Sequence, residues 1–344
     1  MLSKIFRLFI LSVIFCSSGF ARGDEDAIVD TSVREVFPYV YYFGEKHELK
    51  PGTQLINKFL RGQGFEKEYG RLYDVNLDRS NLESAYFGKT AFIRWSFRGT
   101  NMRNIKTEWT EFIDCDFTGA NITGAQFEQL STKNLAQTVN YSKYRNLSNI
   151  KIETWTHGSS PDNLKRELAQ RDEDSNWSAP DPNDTGFDFS ECNLENSWLP
   201  DNLKGCDFTD AQINGARLAS AVLKDGSRSF TMKQLKSTHT YKTGALVNVT
   251  FEGMDFSDMD FTSMNLTGCR LLLTPIGISV LALKCNMQNA VFTDAVISNC
   301  DFRGTENLTL EQIKSTWNYK NNRMVGITLP EEIQAALDAE KEQP

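Results

Sequence analysis

A large apolar residue returns at every fifth position of this chain. From Leu72 it recurs as Leu77, Leu82, Phe87, Phe92, Phe97 and Met102, misses at Thr107, and resumes at Phe112, Phe117, Ile122 and Phe127. A second run holds Phe189, Leu194 and Leu199, slips by one residue, and continues through Phe208, Ile213 and Leu218. A third holds Phe251, Phe256, Phe261, Leu266 and Leu271, and a fourth Met287, Phe292, Ile297 and Phe302. Neither the helical period of about 3.6 nor the strand period of about 2 produces this spacing. A fixed internal period is the mark of a solenoid, in which each unit buries its apolar face only by stacking on the next.

Two further positions keep the rhythm. Two residues before the bulky centre stands a small side chain, as at Ala85, Thr90, Cys115, Ala120, Ala211 and Ala290; Trp95, Phe187, Met254, Met259 and Met264 are bulky exceptions. One residue before the centre Asn or Asp recurs, as at Asn81, Asp116, Asn121, Asn193, Asp207, Asp255, Asp260, Asn265, Asn286 and Asp301. Quotable units are Ala120-Asn121-Ile122-Thr123-Gly124, Cys206-Asp207-Phe208-Thr209-Asp210 and Cys300-Asp301-Phe302-Arg303-Gly304. These residues resemble the pentapeptide-repeat family over most of residues 71–329. The resemblance implies an all-β solenoid, a right-handed quadrilateral β-helix with four pentapeptides to each square coil. Phe87, Phe92, Phe97, Phe112, Phe117, Phe127, Phe208, Phe256, Phe261, Phe292 and Phe302 are then expected along the axis.

Three segments break the rhythm and align with one another, at residues 130–152, 230–251 and 308–329. They share Thr138, Thr238 and Thr316 and, three residues on, Tyr141, Tyr241 and Tyr319. Each reads as a short helical turn capped by Ser131, Thr231 or Thr309, followed by an extended return, with the tyrosine as a lid over the coil edge. Residues 53–60, ahead of Gly62, read as a small helix covering the first coil, and residues 330–344 as a helical cap on the last. The expected organisation is a signal peptide at 1–21, an N-terminal cap region at 22–70, solenoid at 71–152, a polar insertion or hinge at 153–186, solenoid at 187–329 and the C-terminal cap. Whether the solenoid segments form one rod or meet at an angle stays open.

The first residues carry Lys4 and Arg7, an apolar run from Leu8 to Phe15, and small residues at Gly19 and Ala21, the pattern of a secretory signal. Export to the periplasm or beyond the cell is therefore expected. No apolar run reaches the roughly 20 residues of a membrane-spanning helix. Six cysteines follow the signal, Cys115, Cys192, Cys206, Cys269, Cys285 and Cys300, and all fall on the small position. That placement predicts packed thiols without bridges. No two are separated by one coil of about 20 residues, the simplest way to stack a pair.

Signals for chemistry are thin. His47, His157 and His239 form no ligand motif, Gly88-Lys89-Thr90 lacks the first glycine of a phosphate loop, and no Cys-x-x-Cys occurs. No cofactor, metal or catalytic residue is expected. Net charge is −8, which argues against direct nucleic-acid binding through bulk attraction. Acids concentrate between Asp172 and Asp210, and Asp181, Asp184, Asp188, Glu191 and Glu195 are the candidate contact for a basic partner; solubility and edge protection are the plainer use. The expected function is an exported, non-enzymatic scaffold that binds a protein through its outer faces, with homodimerisation open. Two alternatives remain: a mimic of DNA that binds a type II topoisomerase, which the family resemblance suggests, and an enzyme with its activity in residues 153–186.

Overall fold

The computed structural model describes residues 39–42, 45–128, 130, 132–152, 186–199, 203–220, 229–273 and 283–341. The expected signal peptide, nearly all of the insertion, Ser131, and Asp181 and Asp184 lie outside them.

Within each pentapeptide the backbone makes one tight turn. The N–H of Ser80 donates to the Leu77 carbonyl at 3.0 Å, and Arg79 between them has φ 59°. The same bond and the same positive φ recur from coil to coil, the geometry of a type II turn, which favours Gly, Asn and Asp at its third residue. The Asn or Asp before the centre has a local purpose. Its side-chain oxygen accepts the N–H two residues on, as Asn76 does from Asp78 at 2.8 Å, Asp116 from Thr118 at 2.8 Å, Asn193 from Glu195 at 2.9 Å and Asp207 from Thr209 at 2.8 Å. The side chain thus holds the turn from inside its own repeat.

Turns bend the chain into a four-sided β-solenoid, and successive coils are joined by parallel pairing. The first side runs through Gln54, Asn76, Ser96 and Asp116, and further along through Asp188 and Asp207. The second carries Phe59, Asn81, Asn101 and Asn121, then Asn146, Asn193 and Gln212. The third is unbroken: Tyr86, Lys106, Gln126, Lys151, Trp198, Arg217, Thr250, Arg270, Asp301 and Thr328 follow one another rung by rung. The fourth pairs Arg71, Ala91 and Glu111, and later Asp255, Asn286 and Glu306. Asn146 pairs with Asn193 and Lys151 with Trp198, so the column passes the long excursion as one rod and makes no angle there.

The axis is a stack of rings. Phe65 lies on Phe87 at 4.8 Å between centroids, Phe97 on Phe117 at 4.9 Å and Phe189 on Phe208 at 5.2 Å, close to the spacing of neighbouring strands. Ten of the eleven phenylalanines expected there are buried, and Phe112 is only half-buried. The next coil turns helical beside Phe112, so no full rung covers it.

The segment at 53–60 is a correction. It forms no helix: Gln54 pairs with Asn76, Phe59 with Asn81, and Leu55 and Leu60 enter the core, so the solenoid begins well before residue 71. Ahead of it stand the antiparallel strands β1 (Tyr39–Tyr42) and β2 (Glu45–Glu48). At the other end, helix Glu331–Lys341 lays Ile333 and Leu337 over the last coil.

Candidate interaction surface

Each aligned segment contains two short helices. They are α1 (Thr132–Gln137) and α2 (Val139–Ser142), α3 (Met232–Ser237) and α4 (His239–Lys242), and α5 (Leu310–Lys314) and α6 (Trp317–Lys320). Thr231 and Thr309 close capping boxes with Gln234 and Gln312, and Thr138, Thr238 and Thr316 cap the second helices. The Gln234 amide also donates to the carbonyls of Leu203 and Cys206 at 2.8 and 3.0 Å, and that of Gln312 to Met287 and Ala290 at 2.8 Å. These side chains take the place of a strand's ladder bonds. The first helix of each pair takes the place of the first side, and the second meets the second side of the coil before, where the N–H groups of Val139, His239 and Trp317 donate to Ala120, Ala211 and Ala295, just ahead of Asn121, Gln212 and Val296. Two strand rungs separate one helical pair from the next: Asp188 and Asp207, then Asp260 and Val291.

The coils are of unequal length. Rungs of the third side are 20 residues apart from Tyr86 to Lys106 and from Lys106 to Gln126, but 47 apart from Lys151 to Trp198, 33 from Arg217 to Thr250 and 31 from Arg270 to Asp301. The added residues follow the third side in each of these coils, as does the irregularity between Glu66 and Gly70 in strand Gly64–Tyr73. The third side therefore stays plain, and the fourth and first sides, with the corner where the first meets the second, carry what is irregular.

The acidic residues divide between sides. Asp188 and Asp207 are neighbours on the first side, Glu191 sits at the turn behind Asp188, and Glu195 belongs to the second side. The Asp188 carboxylate accepts the Ser190 N–H at 2.8 Å and meets Arg145 at 3.2 Å. Hydrogen bonding from Ser190 and the Arg145 charge hold it below the usual carboxylate range, against some burial. Arg145 lies over the Tyr141 ring at 4.5 Å and donates to the Ser190 carbonyl, while the Tyr141 hydroxyl donates to the Asp188 carbonyl at 2.8 Å. Thr209 lowers Asp207 in the same way, with Asp188 opposing. Asp210 is neutralised by Lys242 at 2.8 Å, and Lys320 treats Asp294 alike at 2.8 Å. Glu191 and Asp207 have no cation within 4 Å among the described residues.

Sequence reasoning missed Arg145, Lys242 and Lys320. The last two could have been found, since both align in the internal repeat. Arg145 could not, because the contact spans the long excursion. Large apolar residues also stand exposed here: Tyr144 behind α2, Val291 on the first side and Trp317 in α6. Among the described residues no three metal-ligating side chains gather, and no helix is long and apolar enough to cross a membrane. An open groove of about 570 Å³ beside the C-terminal helix, lined by Lys284, Arg303, Glu331 and Asp338, offers no Ser, Cys or His.

The model for pentapeptide repeats matches eight copies, at residues 96–129, 188–225 and 282–306. Over these residues the chain carries pentapeptide repeats. Solved structures similar to the pentapeptide-repeat chain include full-length QnrB1, a plasmid-mediated fluoroquinolone resistance protein. It is 11% identical over 85% of this chain and 100% of that one, with a TM-score of 0.17. Another is HetL from the cyanobacterium Nostoc sp. strain PCC 7120, a pentapeptide repeat protein involved in heterocyst differentiation regulation. It is 16% identical over 74% of this chain and 87% of that one, with a TM-score of 0.15. No curated protein matches the sequence. Neither structure assigns a residue or a partner to this pentapeptide-repeat chain.

Proposed function

We propose that the chain is an exported, non-enzymatic scaffold that holds a basic protein segment on its first and fourth sides. The observation that carries this reading is the first side, where Asp188 and Asp207 are neighbours and Glu191 stands at the turn behind them, next to the fourth side into which three lengthened coils open. In solenoids, insertions into the repeat tend to gather on the binding face. A stack of paired rungs also loses little backbone freedom on binding. Exposed Val291 on the first side and Trp317 where the helical pair meets the second side add apolar contact. The ion pairs Arg98–Asp116, Arg145–Asp188 and Lys242–Asp210 break up the anionic stripe that a mimic of duplex DNA needs.

The test compares capture of partners from the exported fraction by the native chain and by a variant carrying Asp181→Asn, Asp184→Asn, Asp188→Asn, Glu191→Gln and Glu195→Gln. Asn at position 188 keeps the turn bond, so the coil survives. Capture should fall with the variant and with added salt; unchanged capture removes the acidic contact. Fractionation of cells tests export separately, and retention in the cytosol would contradict it.

A further inference from the structure

We propose that Cys269 and Cys300 form a redox-responsive staple, a disulfide between consecutive rungs of the third side, while the other four core cysteines stay thiols. Sequence spacing hides this pair, because the coil between them is lengthened after Leu272 and does not have the ordinary length. Register reveals it. Arg270 pairs directly with Asp301, which places Cys269 and Cys300 at the same position on adjacent rungs. The Asp301 N–H donates to the Cys269 carbonyl at 2.9 Å. Neighbouring strands lie about 4.8 Å apart, inside the Cα separation that a disulfide spans. The two thiols point the same way: Cys269 Sγ donates to the Leu246 carbonyl at 2.9 Å and Cys300 Sγ to the Leu266 carbonyl at 2.8 Å.

Register also excludes the alternatives. Cys285 faces Thr305 directly. By the pairs Ser96–Asp116, Asn193–Gln212 and Asp188–Asp207, Cys115 stands beside Trp95, Cys192 beside Ala211 and Cys206 beside Phe187. Burial pushes the Cys300 thiol up to about 12 and Cys269 well above its ordinary value, so the closed rungs hold few thiolates. Closure therefore belongs to folding or to opening of that coil, with a small disulfide such as oxidised glutathione as oxidant. One cysteine thiolate attacks the glutathione disulfide, forms a mixed disulfide and releases one glutathione. The second thiolate then attacks the cysteine sulfur of that mixed disulfide and releases the other glutathione. Two protein thiols are oxidised and one glutathione disulfide is reduced to two thiols.

The experiment refolds the full chain in a glutathione buffer, oxidising or reducing, then alkylates it in denaturant and maps the peptides. Cys269 and Cys300 should escape alkylation in the oxidised sample and appear as one linked pair, lighter by two hydrogens. The oxidised form should melt a few degrees above the reduced one. That difference should vanish in Cys269→Ala/Cys300→Ala and persist in Cys285→Ala. Full alkylation of both residues after oxidation, or a bridge mapped to any other pair, overturns the proposal. The mapping needs only the native sequence, so a variant that fails to fold leaves the test intact.

Discussion

At the corner between the second and third sides, Asn196 on one rung faces Gly215 on the next. Gly215 has φ +71°, and a Cβ built there would lie 2.1 Å from the Asn196 side-chain oxygen. Asn248 and Gly268 repeat the arrangement at 2.0 Å, so the glycine is required by conformation and by the asparagine beneath it. Gly215→Ala should destabilise by about 1–3 kcal/mol, and less in an Asn196→Ala background, which a double-mutant cycle by chemical denaturation would measure. The turn carboxylates give a second prediction. Asp207 and Asp260 are lowered chiefly by hydrogen bonds from Thr209 and Thr262, and Asp301 by Arg303. Groups depressed on folding stabilise above their unfolded value, so the melting temperature should hold from neutral pH down to about 4 and fall below it. A melting series against pH checks this; a rise on acidification would contradict it. The recurrence of Asn and Asp was legible in the sequence, because the pattern repeats in every coil. The acidic site was less so: Asp188 is partly consumed by its own turn and by Arg145, a contact made only once the rod is assembled.

The helical pairs act as substitutes for a strand, and their polar side chains fasten them. Gln234 closes a capping box and also reaches two carbonyls of the preceding coil, which links helix to rod. Gln234→Ala should lower stability by about 1–2 kcal/mol through the lost cap and the unmet carbonyls, measured by thermal or urea unfolding. Gln312→Ala should behave alike, since its bonds are equivalent. These elements were readable because Thr, Gln, Thr and Tyr recur at matching offsets. The segment at 53–60 misled for a physical reason. Leu55, Ile56, Phe59 and Leu60 fall at helical spacings, yet Leu55 and Leu60 are also five apart, and pairing with Asn76 and Asn81 decides in favour of the coil.

Across the whole molecule, a column whose rungs touch only their neighbours gains stability step by step. Phe117, fully buried and stacked on Phe97, should cost about 3–5 kcal/mol when changed to Ala, and half-buried Phe112 less, as denaturant unfolding of the two variants would show. The fivefold rhythm made the column legible, but its continuity past residues 153–185 was not, since no sequence pattern tells which rung meets which after a long excursion. Native-state hydrogen exchange tests that continuity most directly. The Asn193 N–H bonded to Arg145 and the Trp198 N–H bonded to Ile150, each at 2.8–2.9 Å, lie on the join. Both should be protected, and destabilising either half, as in Phe117→Ala or Phe208→Ala, should speed their exchange. Fast exchange at both amides in the native chain would mean two separate solenoids and contradict the single rod.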